Sequence, residues 1–135
     1  MELYEITNEL EKSCKQVEEE QLQKFIDIVD SHKRIFCYGT GRSGLMLKAL
    51  AMRLMQMGYT SYVVGETTTP STQKGDLLIV ASASGETGSV CDVVRSGIKQ
   101  GMDVIAITGT QESTLSKLCE PLVRIDVATK FQTAA

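Results

Sequence analysis

Apolar residues in the first thirty positions recur at steps of three and four, which is the spacing of an amphipathic helix. The series runs from Leu3 to Val29 and predicts one or two helices over residues 3–30. Three consecutive acids, Glu18 to Glu20, interrupt it and are interpreted as a solvated helix face or a corner between helices. A helical N-terminal segment is therefore expected before Ser31.

After Ser31 the apolar residues gather in five short runs, which predict five strands. The runs are Ile35 to Tyr38, Tyr59 to Val64, Leu77 to Ala81, Val104 to Thr108 and Leu122 to Val127. The helix-length segments between them are Ser43 to Met57, Gly85 to Gln100 and Ser113 to Glu120. This alternation predicts an α/β fold, with a mainly parallel sheet between two layers of helices. In such sheets ligands bind beyond the carboxyl ends of the strands, near the point where strand order reverses.

The composition fits one domain and excludes several classes of partner. The 135 residues carry 14 basic and 17 acidic side chains, a net charge of -3, so no field favours nucleic acid or an anionic membrane. No apolar run approaches the roughly 20 residues that cross a bilayer, and the acidic N-terminus does not resemble a signal peptide, so a cytoplasmic protein is expected. The cysteines are widely spaced and are interpreted as reduced core thiols rather than a metal site.

A glycine-rich loop follows the first predicted strand. Its residues of interest are Gly39, Gly41, Arg42, Ser43 and Gly44. The helix that begins there would direct free N–H groups at an anion. Read literally, the loop is GxGxxG, the dinucleotide fingerprint, and Glu66 stands about twenty residues further on, where a ribose-binding acid would lie. The pattern has low specificity because any tight turn from strand to helix uses glycine, and a dinucleotide enzyme would need a substrate domain that this length does not provide.

A second loop follows the buried third strand and carries three hydroxyls. Those of Ser82, Ser84 and Thr87 can each donate to a phosphate oxygen, and Gly85 allows the backbone to approach closely. The alternative is a capping sequence, in which Ser84 or Thr87 covers helix amides and nothing is bound. A cap needs one hydroxyl, so three beside a glycine favour a ligand. Glu86 is predicted in the first turn of the following helix, pointing aside in a structural role because its charge would repel a phosphate.

The helix predicted after the first loop is apolar on more than one face. Its large apolar residues are Leu45, Met46, Leu50, Met52, Leu54, Met55 and Met57. We therefore expect this helix to pack on the sheet and also on a partner, rather than to hold a cofactor.

Five segments of the sequence, taken together and in order, resemble one family of proteins. They are Tyr38 to Gly44, Ala51 to Leu54, Val64 to Pro70, Lys74 to Ile79 and Ser82 to Thr87. On these segments the chain is similar to the 6-phospho-3-hexuloisomerases, members of the sugar isomerase (SIS) domain family. The resemblance covers nearly the whole chain. It implies a single SIS domain over residues 1–135, built as a flavodoxin-like three-layer αβα sandwich with a five-stranded parallel sheet.

The resemblance also implies an activity, the interconversion of 3-hexulose 6-phosphate and fructose 6-phosphate through an enediol in the ribulose monophosphate pathway. It implies no cofactor, no metal and a homo-oligomer, either a dimer or a tetramer. The substrate contacts carried over by position are Ser43, Ser82, Ala83, Ser84, Gly85, Glu86 and Thr87. Among these, the hydroxyls of the second loop would hold the phosphate.

The resemblance further implies a proton-accepting glutamate on a helix after the fifth strand, and these 135 residues contain no assignable counterpart. Two interpretations stay open: the sequence belongs to a longer protein, or the domain binds a sugar phosphate without turning it over. The remaining candidates within the chain are Glu66, His32 and Arg42. Each has a structural alternative. Glu66 would stabilise a loop, His32 would be a surface residue at the opposite end of the sheet, and Arg42 would pair with an acid between subunits.

Overall fold

Strands and helices alternate along the described residues, except that no helix separates the second and third strands, as the apolar pattern predicts. The computed structural model describes residues 19–109, 112–119 and 121–124. Within these ranges the elements are α1 (Glu19–Asp30), β1 (Arg34–Tyr38), α2 (Gly41–Gln56), β2 (Thr60–Val63), β3 (Leu77–Ser82), α3 (Gly88–Gln100), β4 (Asp103–Thr108), α4 (Thr114–Leu118) and β5 (Pro121–Arg124). The predicted helical positions 3–18 and the predicted strand positions 125–127 lie outside the described residues. None of the described helices is long and apolar enough to cross a membrane.

The five strands form one parallel sheet in the order β2-β1-β3-β4-β5, which confirms the predicted five-stranded parallel sheet. Strand β1 pairs with β3 from Ile35 opposite Leu77 to Tyr38 opposite Val80. The chain leaves β1 for β2 on one side and returns to β3 on the other, so strand order reverses between β1 and β3. The two glycine loops, which follow β1 and β3, therefore begin side by side at the same edge of the sheet.

Two separate cores cover the two faces of the sheet and produce its three layers. Consecutive residues of β3 point to opposite faces, so Ile79 packs with Leu47 of α2 while Leu78 packs with Val94 of α3. Helix α1 contributes Val29 to the first core. This arrangement confirms the expected layers of helices on both faces of the sheet.

The cysteines behave as the sequence predicts wherever they are described. Cys37 and Cys91 are free thiols buried in the two cores, and Cys119 is half-buried and free. Burial raises the pKa of Cys37 to about 12, so this thiol stays protonated near neutral pH. Cys14 lies outside the described residues.

Two predicted helix starts are wrong by two or three residues, and both errors lie in the glycine loops. Helix α2 begins at Gly41 rather than Ser43. Helix α3 begins at Gly88 rather than Gly85, because Gly85 has a φ of +70° and its N–H donates to the carbonyl of Ser82, which forms a turn. The left-handed turn at Gly85 delays the start of the helix by three residues, so the second loop is longer than predicted.

Candidate functional site

The first glycine loop is a tight turn whose glycines are used by the backbone itself. A Cβ on Gly44 would lie 2.6 Å from the carbonyl oxygen of Gly39, so the two ends of the loop touch. Gly41 has a φ of +56°, a left-handed conformation that glycine adopts without strain. The turn brings Ser43, which is half-buried, into the first turn of α2 beside the exposed Arg42. These contacts explain the GxGxxG spacing without a dinucleotide.

In the second loop, the three predicted hydroxyls have different environments. Ser82 is 2% exposed, and its hydroxyl oxygen accepts the Gly85 N–H at 3.1 Å. The same oxygen lies 2.8 Å from the hydroxyl of Thr87, which is half-buried. The Ser84 hydroxyl accepts the N–H of Glu86 at 3.1 Å. Ser84 and Thr87 thus lie nearer the surface, while Ser82 lies beneath them.

The capping alternative for this loop can be tested directly at the two helix starts. Thr40 precedes α2 and Thr87 precedes α3, and within the described residues neither hydroxyl makes a capping hydrogen bond. The Ser84 hydroxyl bonds to the N–H of Glu86, which lies two residues before α3. In the described part of the chain, the first-turn amides of two neighbouring helices therefore receive no cap from the threonine that precedes each helix. Such amides carry the positive end of the helix dipole.

Glu86 lies before α3 and not in its first turn, which corrects the predicted position. Its carboxylate points aside, as predicted, and accepts the Thr114 N–H at 2.8 Å and the Thr114 hydroxyl at 3.0 Å. The hydroxyl and N–H of Thr114, with the charge of Lys117, lower the pKa of the exposed Glu86 carboxyl although desolvation opposes them. The carboxylate is therefore held ionised against α4.

Backbone hydrogen bonds attach the second loop to the segment between β4 and α4. Ala83, which is exposed, accepts the Gly109 N–H at 3.0 Å, and Gly85 accepts the Leu115 N–H at 2.9 Å. Thr114 and Leu115 were not predicted to lie in this region. A signal for the helix start was present, because Ser113 and Ser116 form a capping box around it.

Glu66 pairs with α2 in the structure. Its carboxylate lies 3.3 Å from the Lys48 ammonium, and both side chains are about half exposed at 49% and 57%. Because the pair joins the turn after β2 to the helix after the first loop, it favours the loop-stabilising interpretation of Glu66.

His32 lies at the end of the sheet opposite the loops, as predicted, but the expectation of a surface residue is wrong. Its side chain is only 10% exposed. One ring nitrogen lies 2.6 Å from the Ile28 carbonyl and the other 2.6 Å from the Asp103 carboxylate. These two contacts join the end of α1 to the start of β4, so His32 is packed between the two elements.

Helix α2 is apolar on more than one face, as predicted. Leu47, Ala51 and Leu54 are buried against the sheet. Five large apolar side chains on the same helix and its end are 55% to 68% exposed, namely Leu45, Met46, Met52, Met55 and Met57.

Comparison with known proteins identifies the class to which this fold and loop pair belong. The SIS domain family profile matches residues 27–135. The chain therefore belongs to the SIS domain family.

Two curated relatives are similar to the chain over much of its length. The 3-hexulose-6-phosphate isomerase of Bacillus subtilis is 39% identical over 129 residues, which cover 96% of this chain and 70% of that protein. The protein of the same name from Methanocaldococcus jannaschii is 48% identical over 87 residues, which cover 64% of this chain and 48% of that protein. The chain thus spans between about half and 70% of the length of these curated relatives.

Two solved structures are similar over most of the chain. One is a Methanococcus jannaschii protein for which a molecular function of 3-hexulose-6-phosphate isomerase was inferred from its crystal structure. It is 41% identical with a TM-score of 0.69, and the match covers 76% of this chain and 59% of that one. The Vibrio vulnificus NanR protein complexed with ManNAc-6P is 27% identical with a TM-score of 0.73, covering 87% and 47%. These likenesses confirm the family resemblance found in the sequence.

Proposed function

We propose that the second loop, Ser82 to Thr87, and the N-terminus of α3 bind the phosphate of a hexose phosphate. The observation that carries the proposal is the hydroxyl of Thr87, which stands at the start of α3 but bonds to Ser82 instead of capping the helix. The Ser82 oxygen already accepts the Gly85 N–H, so its one proton can be donated to Thr87. The proton of Thr87 is then available to a phosphate oxygen.

The electrostatics of this loop suit a dianion without a basic surface. Neutral hydroxyls and amides bind phosphate without the cost of burying a lysine or arginine. A helix N-terminus carries about half a positive charge, and here α2 and α3 begin at neighbouring strands. Ser43, in the first turn of α2, is proposed as a further substrate contact from the adjoining loop.

We extend the proposal to isomerisation of 3-hexulose 6-phosphate, the activity for which the curated relatives are named, and to fructose 6-phosphate as its product, which the resemblance implies. A base removes the proton from the carbon beside the carbonyl, an enediol forms, and a proton returns to the neighbouring carbon. Glu86 is a poor candidate for this base, because its lowered pKa makes its carboxylate weakly basic and Thr114 occupies it. We assign substrate binding to the described residues and proton transfer to a carboxylate outside them.

The second candidate function is sugar-phosphate binding without turnover. It is supported by the likeness to NanR, whose structure is a complex with ManNAc-6P. Both candidates use the same phosphate loop and differ only in chemistry. A cytoplasmic location is part of either proposal, and the free thiols of Cys37 and Cys91 are compatible with a reducing compartment.

Calorimetric titration with fructose 6-phosphate tests the shared step. The natural sequence should bind, and Thr87→Val, which keeps the side-chain shape, should weaken binding about tenfold through loss of one charge-assisted hydrogen bond. Ser96→Ala, which removes an exposed hydroxyl further along α3, is the matched control and should bind normally. Equal affinity in all three proteins would exclude the second loop as the phosphate-binding site. A coupled isomerase assay then separates the enzyme from the binding domain.

A further inference from the structure

We infer that Glu86 is a positioning residue, whose carboxylate anchors the phosphate loop to α4 through Thr114 rather than touching the substrate. The inference rests on the proposed function, because it assigns a role within the phosphate site. It differs from the assignment by resemblance, in which Glu86 is one of the substrate contacts.

The anchor uses amides that any helix must satisfy at its start. Of the amides at the start of α4, Ser113 and Ser116 are bonded within the capping box. The two amides between them bond to the phosphate loop: Thr114 donates to the Glu86 carboxylate at 2.8 Å and Leu115 donates to the Gly85 carbonyl at 2.9 Å. Two consecutive residues of the loop thus complete the N-terminus of α4.

This anchor fixes the part of the loop that presents the phosphate ligands. The Gly85 carbonyl, held by Leu115, sets the orientation of the peptide that joins Gly85 to Glu86. The N–H of that peptide donates to the Ser84 hydroxyl at 3.1 Å. The side chain of Glu86 contacts α4, and its backbone N–H contacts Ser84, a proposed phosphate ligand. Glu86 therefore connects the two.

The anchor also answers the electrostatic problem of an acid in a phosphate loop. A carboxylate close to a phosphate dianion repels it. Here the Glu86 charge is turned toward the Thr114 N–H and hydroxyl, with Lys117 contributing a favourable charge on the same side. Two accounts of Glu86 then predict opposite results. If the carboxylate mainly opposes the phosphate, its removal strengthens binding, and if it anchors the loop, its removal weakens binding.

The experiment compares Glu86→Gln, Thr114→Val and the double variant. Fructose 6-phosphate affinity should fall about three- to tenfold in each single variant. The loss in the double variant should be smaller than the sum of the two single losses, because both changes weaken the same contact while the Thr114 N–H can still donate to residue 86. Thr114→Ser keeps the hydroxyl and should bind like the natural sequence. Asp92→Asn removes an acid from α3 that pairs with Arg95 and is the control for charge alone.

A ligand-free readout separates this inference from the proposed function. Amide hydrogen exchange at Thr114 and Leu115 should become at least several-fold faster in Glu86→Gln and stay unchanged in Asp92→Asn. Suppose that exchange at these amides becomes faster in Glu86→Gln, but the natural sequence does not bind fructose 6-phosphate. That result would overturn the proposed function and leave the anchor intact. Tighter or unchanged binding in Glu86→Gln, additive effects in the double variant, or unchanged exchange at both amides would overturn the anchor.

Discussion

The hydroxyl of Ser82, at the buried end of β3, lies 2.8 Å from the hydroxyl of Thr87, the residue before α3. This contact joins the end of a strand to the start of a helix across the proposed phosphate site. It also withdraws Thr87 from the capping role that threonine usually has at this position. The proposed role of this loop in phosphate binding therefore depends on the contact between these two hydroxyls.

Ser82→Ala should weaken fructose 6-phosphate binding even though Ser82 is buried. The change leaves the Gly85 N–H without its side-chain acceptor and allows Thr87 to turn toward the helix amides. The Gly85 N–H keeps the carbonyl of Ser82 as an acceptor, so the loss is that of a side-chain hydrogen bond, and the free energy of unfolding in urea should fall by about 0.5–1.5 kcal/mol. Titration calorimetry beside urea unfolding measures both effects. Unchanged affinity in a folded Ser82→Ala protein would mean that Thr87 does not need its partner.

Gly44→Ala should destabilise the fold, because the new Cβ would lie 2.6 Å from the Gly39 carbonyl oxygen and the backbone must shift. We expect a loss of about 1–3 kcal/mol in the free energy of unfolding, as for overpacking elsewhere. Gly88→Ala is the matched control, since its Cβ would meet nothing within 4 Å and Gly88 has no positive φ. Urea unfolding of both variants checks the comparison, and equal stability would contradict the tight-turn interpretation.

The contribution of His32 to stability should decrease as the pH rises. Burial alone would lower the pKa of His32, but the hydrogen bonds to Ile28 and Asp103 and the charges of Asp103 and Asp76 outweigh it, so the pKa is raised. Both ring nitrogens face acceptors, so only the imidazolium can donate to both.

The sign follows from this raised pKa. The contribution is fully present below the ordinary value of 6.5 and is lost as the pH passes through the folded value. The free energy of unfolding of the natural sequence, relative to His32→Gln, should therefore fall as the pH rises from 6.5 through the raised pKa of His32 in the folded protein. Asp103→Asn is the control and should reduce this pH dependence. A difference that is constant across the range would contradict the double-donor geometry.

Self-association should depend on the exposed apolar face of α2. Met52 and Met55 are each 55% exposed, and an apolar patch of this kind on a helix end marks an interaction surface. Met52→Lys combined with Met55→Lys should shift the protein toward monomer in sedimentation velocity. Ser96→Lys, at an exposed position on α3, is the control for an added charge away from this face and should leave the assembly unchanged. A natural sequence that sediments as a monomer would contradict the homo-oligomer proposal.

The fold followed from the sequence because its elements have strong local signals. The run Leu77 to Ala81 is apolar at every position, as a strand covered on both faces requires, and β3 lies at the centre of the sheet between β1 and β4. The helix start after this strand was less predictable. Gly85 permits a helix, and only its contacts with Ser82 and Leu115 hold it in a left-handed turn.

The candidate site was predictable in location but not in its internal bonds. Strand order places the two glycine loops together, and the resemblance points to the same residues. The difference between Ser82, which supports Thr87, and Ser84, which bonds to the Glu86 amide, depends on burial that no local pattern encodes. The partners of Glu86 and His32 lie 28 and 71 residues away in sequence, so tertiary packing decides them.

The proposed phosphate site lies where the hydroxyl of Thr87 meets the start of α3. The most direct test of this site is the change in backbone amide chemical shifts when fructose 6-phosphate is titrated into the protein. The account predicts that the largest shifts fall on residues 84–89, with smaller ones near Ser43, and that Thr87→Val reduces them at equal ligand concentration. Saturable binding with its largest shifts around His32 and Asp103, at the opposite end of the sheet, would contradict it.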